Sequence, residues 1–284
     1  MTQTLPLLVT FDGEARSGKG TIVQFTKDYL RDERGYKVML IDRGQTFRVL
    51  VVAARQAGID LDQPREIDKF LSDETNITNC VAFVKTVYRM SKEERDALLY
   101  TNEVSEDSAL IGARAASQDF VRGLTKKWLH DAGREGFEIV LVDGRALESI
   151  AREMDAEGLC EYRLGLYFTC DSEIGARRTL GLASRKYTQL NESEKRDVDA
   201  LIEQIHARNR RDQERAVERL SPPVDAPVFE LPDAPTRIDS TKPMVIFDTS
   251  ADMTKDAMSS PIAHLVAQAV GILTTAPSYD IIER

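Results

Sequence analysis

The stretch LLVTFDGEARSGKGTIVQF, residues 7–25, joins an apolar run to a helical pattern through a short polar loop. The run at 5–12 predicts a buried strand, and the apolar spacing over 19–33 predicts a helix. The loop between them matches the first part of the Walker A pattern, G-x(4)-G-K, at Gly13, Gly18 and Lys19. In such loops, backbone N–H groups, the helix N-terminus and the lysine hold phosphate oxygens. The stretch therefore predicts a phosphate-binding loop.

The residues after the lysine narrow the class of protein. Gly20 follows Lys19 directly, so the hydroxyl that usually binds Mg²⁺ at that position is missing, and Thr21 comes next. The sequence GKGT is more typical of small-molecule kinases than of GTPases and large ATPases. We expect the whole loop to bind the donor nucleotide, through Gly13, Glu14, Ala15, Arg16, Ser17, Gly18, Lys19, Gly20 and Thr21.

Further apolar segments alternate with helical patterns along the chain. Each of these segments is short and ends in polar residues, which predicts buried strands at 36–42, 137–145, 162–171 and 244–250. Helices are predicted at 44–58 and 253–273. This alternation predicts an α/β fold with a central five-stranded parallel sheet and helices on both faces.

Other segments interrupt the alternation. Residues 60–106 are mixed and polar, 172–221 form a charge-rich helical pattern, and 222–243 hold six of the ten prolines. The proline-rich segment cannot be a helix, so we expect an extended surface connection there. One domain over 1–284 is therefore expected. Its parts are a core (1–59, 107–171 and 244–275), an acceptor-binding insert (60–106), a helical lid (172–221), the connection (222–243) and a tail (276–284).

Composition limits the function classes. The formal net charge of −9 disfavours nucleic-acid binding, because proteins that coat nucleic acid are usually basic. No apolar run approaches the roughly 20 residues of a membrane helix, and the N-terminus lacks a signal-peptide pattern. Three cysteines without C-x-x-C spacing favour reduced thiols over a zinc site or disulfides. We expect a cytoplasmic protein without nucleic-acid or membrane partners, and a monomer.

Arginines are concentrated in RNRRDQERAVERL, residues 208–220. On a helix, one face would carry Arg208, Arg211, Asp212 and Arg215. A solvated helix is the alternative, with the charges balanced by Glu203, Glu214 and Glu218. The phosphate loop favours a functional role, because phosphoryl transfer needs cations around the transferring group. A helical lid with these arginines would also close over the site and exclude water.

Charged residues also follow two of the predicted strands. Arg48 follows the strand that ends at residue 42, and Asp143 and Arg145 lie at the end of the strand at 137–145. Ligands of open α/β sheets bind at the carboxyl ends of strands, so these side chains should converge with Lys19. For Asp143, the alternative is a turn residue before Gly144.

The ordered set of motifs resembles the bacterial cytidylate kinase family. The matches are G-x(4)-G-K-G-T (13–21), D-x-G-x-x-[YF]-R (42–48), TNEVS (101–105), DGR (143–145), RNRRDQERAV (208–217) and DTS (248–250). No single motif is specific, but the order is. The resemblance implies an adenylate-kinase-like P-loop fold, with ATP as donor and a pyrimidine nucleoside monophosphate as acceptor.

The resemblance also implies roles for individual residues. Lys19 and Thr21 would bind donor phosphates. The acceptor phosphate would be held by Arg48, Arg145 and Arg208. The acceptor nucleoside would be reached by Asp212, Arg215 and, across an alignment gap, Arg122. The expected catalytic residues are Lys19, Arg145, Arg208 and Arg211. Substrate oxygens and water would supply most of the Mg²⁺ ligands, with Asp143 as the ligand from the protein.

Some positions depart from the family pattern. Arg16 stands where the family has glycine or alanine, Arg43 where it has serine or threonine, Phe47 where it has tyrosine, and Ala146 where it has aspartate. The positions of Arg43 and Ala146 lie near the acceptor base and sugar in the family. The first hypothesis is phosphorylation of CMP or dCMP. The alternatives are a kinase with another acceptor (UMP, AMP or a small metabolite) and a nucleotide-binding protein without catalytic activity.

Overall fold

The computed structural model describes residues 4–231, 233–235 and 243–271. Within this part of the chain the centre is a six-stranded sheet, in the order β2-β3-β1-β4-β6-β5. Every neighbouring pair in it is parallel. The strands are β1 (Leu7–Gly13), β2 (Val38–Asp42), β3 (Ile139–Asp143), β4 (Glu161–Thr169), β5 (Val228–Glu230) and β6 (Met244–Asp248).

The expected count of five strands was wrong, because the proline-rich connection contributes a sixth. Its residues Val228–Glu230 pair with β6 at the edge of the sheet. An edge strand tolerates prolines beside it, since one side of its backbone needs no partner in the sheet. The segment 222–243 is therefore extended, as expected, where it is described, but part of it belongs to the sheet. Pro232 and residues 236–242 lie outside the described residues.

The helices lie between the strands and in the two additional segments. They are α1 (Lys19–Asp28), α2 (Arg43–Gln56), α3 (Pro64–Leu71), α4 (Glu74–Val87), α5 (Lys92–Leu99), α6 (Asn102–Ile111), α7 (Ala115–Glu135), α8 (Leu147–Ala156), α9 (Ser172–Thr179), α10 (Glu192–Gln213) and α11 (Lys255–Ala269). One π-helical turn, Tyr29–Glu33, extends α1. No helix in the described residues is long and apolar enough to cross a membrane.

Hydrophobic side chains cover both faces of the sheet. Phe11, Phe168 and Phe247 are fully buried with α1 and α11 on one face, and each contributes about 1.5–3 kcal/mol by burial. Leu8 and Val140 are buried against α8 on the other face. Strands buried on both sides are typical of parallel sheets, and this confirms the predicted layers.

The predicted insert is helical and has its own core. Helices α3 to α6 pack with α2 in a second hydrophobic cluster that includes Val49, Phe70 and Val84. The boundary expected at 106 falls inside α6.

The predicted lid contains α9, a 3₁₀ turn at Tyr187–Gln189, and α10. Ala15 of the phosphate loop joins the small hydrophobic cluster of these helices. The helix expected to continue to residue 220 ends at Gln213, and the chain then turns back towards the sheet. Helix α11 ends at Ala269, and the tail at 276–284 lies outside the described residues.

Candidate active site

The phosphate loop follows β1 in a tight turn that requires glycine. Gly13 has φ of 132°, and a Cβ atom there would lie 2.2 Å from the carbonyl oxygen of Phe168. Arg16 also has a positive φ of 62°, which is uncommon for a residue with a side chain. The Ser17 hydroxyl donates to the carbonyl oxygen of Glu14 at 3.0 Å and closes the turn. The loop is thus a compact turn directly before α1.

Hydrogen bonds from other elements fix this loop. The Glu14 N–H donates to the Phe168 carbonyl group at 2.9 Å. The Ala15 N–H donates to Oδ1 of Asn209 on α10, also at 2.9 Å. Thr249, from the DTS motif, donates its hydroxyl proton to the Ser17 carbonyl group at 2.8 Å. The lid and the end of β6 therefore both hold the phosphate loop.

Lys19 reaches the carboxyl ends of the central strands. Its ammonium group donates to the carboxylate of Asp143 and to the carbonyl oxygen of Gly144. Asp42 pairs with Asp143 in the register of β2 and β3. Burial and the nearby negative charge of Asp143 raise the pKa of Asp42 to about 6. Two carboxylates and one lysine therefore lie together beside the loop.

A chain of charged side chains joins β3 to the end of the lid. Arg145 donates from Nη1 to the Gly13 carbonyl oxygen at 2.9 Å, and its Nε lies 2.9 Å from Oδ2 of Asp212. The other carboxylate oxygen of Asp212 lies 2.5 Å from Nη2 of Arg215. The Asp212 side chain is 4% exposed, so this ion network is largely shielded from water. It ties the end of α10 to the phosphate loop.

Other arginines around the loop form no ion pair with any described residue. Within the described residues, no hydrogen bond or ion pair is formed by the side chains of Arg16, Arg48 and Arg208. Burial, and then the charge of Arg145, lowers the pKa of Arg208 to about 9. The guanidinium of Arg48 lies 4.6 Å from the centre of the Tyr100 ring. Arg16 is exposed, but partial desolvation and the charge of Arg48 lower its pKa.

This surplus of positive charge points to an anionic ligand. The charge of Asp212 raises the pKa of Arg208, but Arg145, Arg48 and Arg16 lower it, so positive charges outnumber negative ones around this side chain. Partly buried like charges repel each other unless an anion lies among them. Of the predicted convergence, the described contacts join Lys19 to Asp143 and Arg145 to the Gly13 carbonyl oxygen, whereas the part expected of Arg48 and Arg208 remains a prediction.

Two predicted site arginines lie elsewhere. Arg211 is exposed on α10 and makes no ion pair with any residue the structure describes. Arg122, on α7, donates to Glu218 at 3.2 Å instead of facing the unpaired arginines. The roles expected for both remain predictions.

The position of Glu218 could not be predicted from the sequence, where it entered only as a balancing charge in the alternative of a solvated helix. The Glu218 side chain is 4% exposed, and Nη2 of Arg43 lies 3.0 and 2.9 Å from its two oxygens. Arg43 itself is 2% exposed. The only signal in the sequence is the arginine in place of a small hydroxyl residue, since a buried arginine requires an acidic partner.

Asp12 organises the start of α8. Its carboxylate accepts from the N–H groups of Gly13 at 2.6 Å and Leu147 at 2.8 Å. Burial raises the pKa of Asp12 despite the nearby cations Lys19 and Arg145. Ala146, just before the helix, has φ of 55°.

The acidic side chains at the strand ends suit Mg²⁺ better than a metal held by protein alone. No group of three or more histidine, cysteine, aspartate or glutamate side chains in the described ranges could hold a metal ion. Asp143 and Asp42 offer carboxylates beside the loop. Mg²⁺ commonly binds one or two carboxylates, keeps several waters and takes its other ligands from substrate phosphates. The residues therefore fit a magnesium–nucleotide complex.

Comparisons with known proteins agree with this geometry. A family model described as cytidylate kinase matches residues 9–233. The chain is 25% identical to a cytidylate kinase from Pseudomonas putida over 222 residues, which are 77% of this chain and 86% of the relative. It is 27% identical to one from Pseudomonas aeruginosa over 80% of this chain and 88% of that protein. It is 26% identical to one from Azotobacter vinelandii over 84% and 89%, respectively.

Proposed function

Because the chain belongs to the cytidylate kinase family, we propose that it transfers the terminal phosphate of ATP to CMP or dCMP, giving CDP or dCDP. It is a nucleoside monophosphate kinase, and ATP is the donor that this activity implies. The observation that best supports the proposal is the phosphate loop, where Lys19 reaches Asp143 and Arg145 reaches Gly13 while the charge of Arg208 has no ion-pair partner among the described residues. Two phosphate-bearing substrates would supply anions for these cations.

The donor side of the site consists of the loop and the start of α1. Backbone N–H groups of residues 13–21 would hold the ATP phosphates, with Thr21 adding a hydroxyl. Lys19 would exchange its contact with Asp143 for phosphate oxygens. The hydrogen bond from Ala15 to Asn209 would couple donor binding to the position of the lid.

The acceptor side is formed by the arginines. Arg48, Arg145 and Arg208 would hold the acceptor phosphate, and Arg211 would approach the transferring group from the lid. The acceptor nucleoside would be contacted by Asp212, Arg215 and Arg122.

The chemistry requires no strong general base. An oxygen of the acceptor phosphate is already nucleophilic, so the residues accelerate transfer by aligning it with the donor phosphate and by neutralising charge. Asp143, with substrate oxygens and water, would hold Mg²⁺, which when bound neutralises charge on the phosphates. The lid would exclude water and so suppress hydrolysis of ATP.

A kinase with a different acceptor is the second candidate. Arg43 is buried against Glu218, and Ala146 carries no polar group, so neither residue supplies the hydroxyl or carboxylate found there in the family. Loss of such groups changes substrate selectivity strongly. UMP, AMP and small phosphorylated metabolites are therefore the acceptors to compare with CMP.

An acceptor panel tests the proposal. Initial rates of ADP release from ATP are measured with every ribo- and deoxyribonucleoside monophosphate, and the products are identified by chromatography. We expect CMP and dCMP to have the highest kcat/KM. A clear preference for another nucleotide would support the second candidate, and ADP release that does not depend on an acceptor would contradict both.

A further inference from the structure

A cavity of about 250 Å³ lies between the end of β4, the start of α8 and the chain that follows the lid. Its walls include Asp12, Ala146, Ser149, Tyr167, Glu218 and Met244. Pockets for drug-sized ligands begin at about 300 Å³, so this volume suits a single ring better than a whole nucleotide. Asp12 directly precedes the phosphate loop, so a ring placed here would lie close to the phosphate site.

One wall of the cavity offers a hydrogen-bond donor. Tyr167 is 1% exposed, and its hydroxyl group has no partner among the described residues. Buried polar groups are nearly always hydrogen-bonded, so an unpaired hydroxyl lining a cavity points to a ligand atom or a water molecule as its partner. Burial raises the pKa of this hydroxyl, so it keeps its proton at neutral pH.

Another wall offers a hydrogen-bond acceptor. Oε1 of Glu218 accepts from Arg43 at 3.0 Å and from Arg122 at 3.2 Å, whereas Oε2 accepts only from Arg43, at 2.9 Å. Each carboxylate oxygen accepts about two hydrogen bonds, so Oε2 retains one free position. The two guanidinium groups hold the carboxylate in a fixed orientation.

The chain around Glu218 is built to hold this position. Leu220 is 1% exposed and packs against Tyr167 and Ile246, and its N–H donates to the Asp212 carbonyl group at 2.9 Å. Glu218 has φ of 50°, a conformation that costs energy for a residue with a side chain. Glu218 is therefore a buried carboxylate in a strained backbone conformation beside a cavity, unlike the exposed acid of a surface ion pair.

We propose that this cavity receives the acceptor base and that Glu218 and Tyr167 select cytosine over uracil. This inference rests on the proposed function. Glu218 accepts from the exocyclic amino group of cytosine, and Tyr167 donates to an acceptor atom elsewhere on the ring. Uracil has a carbonyl group in place of the amino group, so it places an acceptor against the carboxylate and is disfavoured.

Glu218→Gln tests the carboxylate. Its kcat/KM for CMP should fall about 10- to 100-fold, mainly through KM, and the CMP-to-UMP ratio should fall by at least 10-fold. The control is Glu214→Gln, an exposed acid four residues earlier, which should leave the ratio unchanged. A folded Glu218→Gln protein with the wild-type ratio would overturn the proposal.

Tyr167→Phe removes only the hydroxyl group that the proposal places against the acceptor base. This variant tests the base pocket even if Glu218→Gln does not fold. We expect KM for CMP to rise about 5- to 10-fold, with KM for ATP unchanged. An unchanged KM for CMP in this variant would also contradict the base pocket.

Failure of the inference differs from failure of the proposed function. A wild-type protein that phosphorylates no nucleoside monophosphate would refute the function itself. Preference of the wild type for UMP would refute the selection of cytosine. An active wild type that prefers CMP, together with unchanged discrimination in both variants, would refute the base pocket alone.

Discussion

Lys19 joins the phosphate loop to the end of β3. It begins α1 at the end of the phosphate loop, and its ammonium group contacts Asp143 and Gly144 after β3. The same side chain therefore links the start of the helix that follows the phosphate loop to the end of β3.

Lys19→Met should abolish turnover while leaving the fold intact. Loss of one cation that stabilises the transferring phosphate should lower kcat at least about 10²- to 10³-fold. Lys27→Met on the same helix is the control, since residue 27 lies about 12 Å further along the axis. Steady-state rates and circular dichroism check both variants, and persistent transfer to any nucleoside monophosphate in Lys19→Met would show that the site is wrongly assigned.

Arg208→Met should stabilise the nucleotide-free protein and inactivate it. The pKa of Arg208 is lower in the folded than in the unfolded chain, so its charge destabilises the fold at neutral pH, and this effect begins to decline only as the pH rises above about 9. Removing the charge should raise the free energy of unfolding by about 1 kcal/mol and lower kcat/KM at least about 100-fold.

Arg210→Met is the matched control for that variant. Arg210 is exposed on the same helix, so its replacement should change neither urea denaturation nor rates. A less stable Arg208→Met protein would contradict the view that the partly buried charge of Arg208 needs an anion.

Some site residues could be predicted from the sequence, whereas others could not. Lys19, Arg145 and Asp143 stand in local patterns at strand ends, so their convergence follows from the rule for parallel sheets. Glu218 and Asn209 act through contacts with Arg43 and Ala15, which are 175 and 194 positions away in the chain. Local patterns carry no information about such pairs.

Helix α10 is the part of the lid that contacts the phosphate loop. Its Asn209 accepts from the Ala15 N–H, and its end is tied to Arg145 through Asp212. Movement of this helix would therefore change the shape of the phosphate loop and the position of Arg145 together.

Asn209→Ala should weaken donor binding. Loss of one hydrogen bond to the loop costs about 1 kcal/mol, which corresponds to about 5-fold weaker ATP binding. Calorimetry measures the affinity, and hydrogen exchange should show faster exchange at Ala15. Gln213→Ala, exposed on the same helix, should behave like the wild type. If Asn209→Ala binds ATP as tightly as the wild type and Ala15 exchanges at the same rate, the hydrogen bond from the loop to α10 does not support donor binding.

Element boundaries were less predictable than element types. The strands and most helices follow hydrophobic spacing, but β5 has only three residues and depends on its pairing with β6. Helix α10 ends at Gln213, and the chain folds back so that Leu220 packs against Tyr167 of β4 and Ile246 of β6. Such endings are set by tertiary contacts, which local propensity does not contain.

Because the strands are parallel, their carboxyl ends, the phosphate loop and the lid all lie at the same end of the sheet. The insert and the lid have separate hydrophobic clusters, of which the lid cluster contains Ala15 of the loop. The layered fold could be predicted because strand–helix alternation allows few arrangements. The cavity proposed for the acceptor base could not be predicted, because it depends on how the chain after the lid returns to β4.

The proposed transfer of phosphate from ATP to a nucleoside monophosphate is tested most directly by ³¹P NMR of the purified chain with ATP, Mg²⁺ and CMP. We expect loss of the ATP and CMP signals and matched appearance of ADP and CDP. Release of inorganic phosphate without CDP, or no change with CMP or any other nucleoside monophosphate, would contradict it.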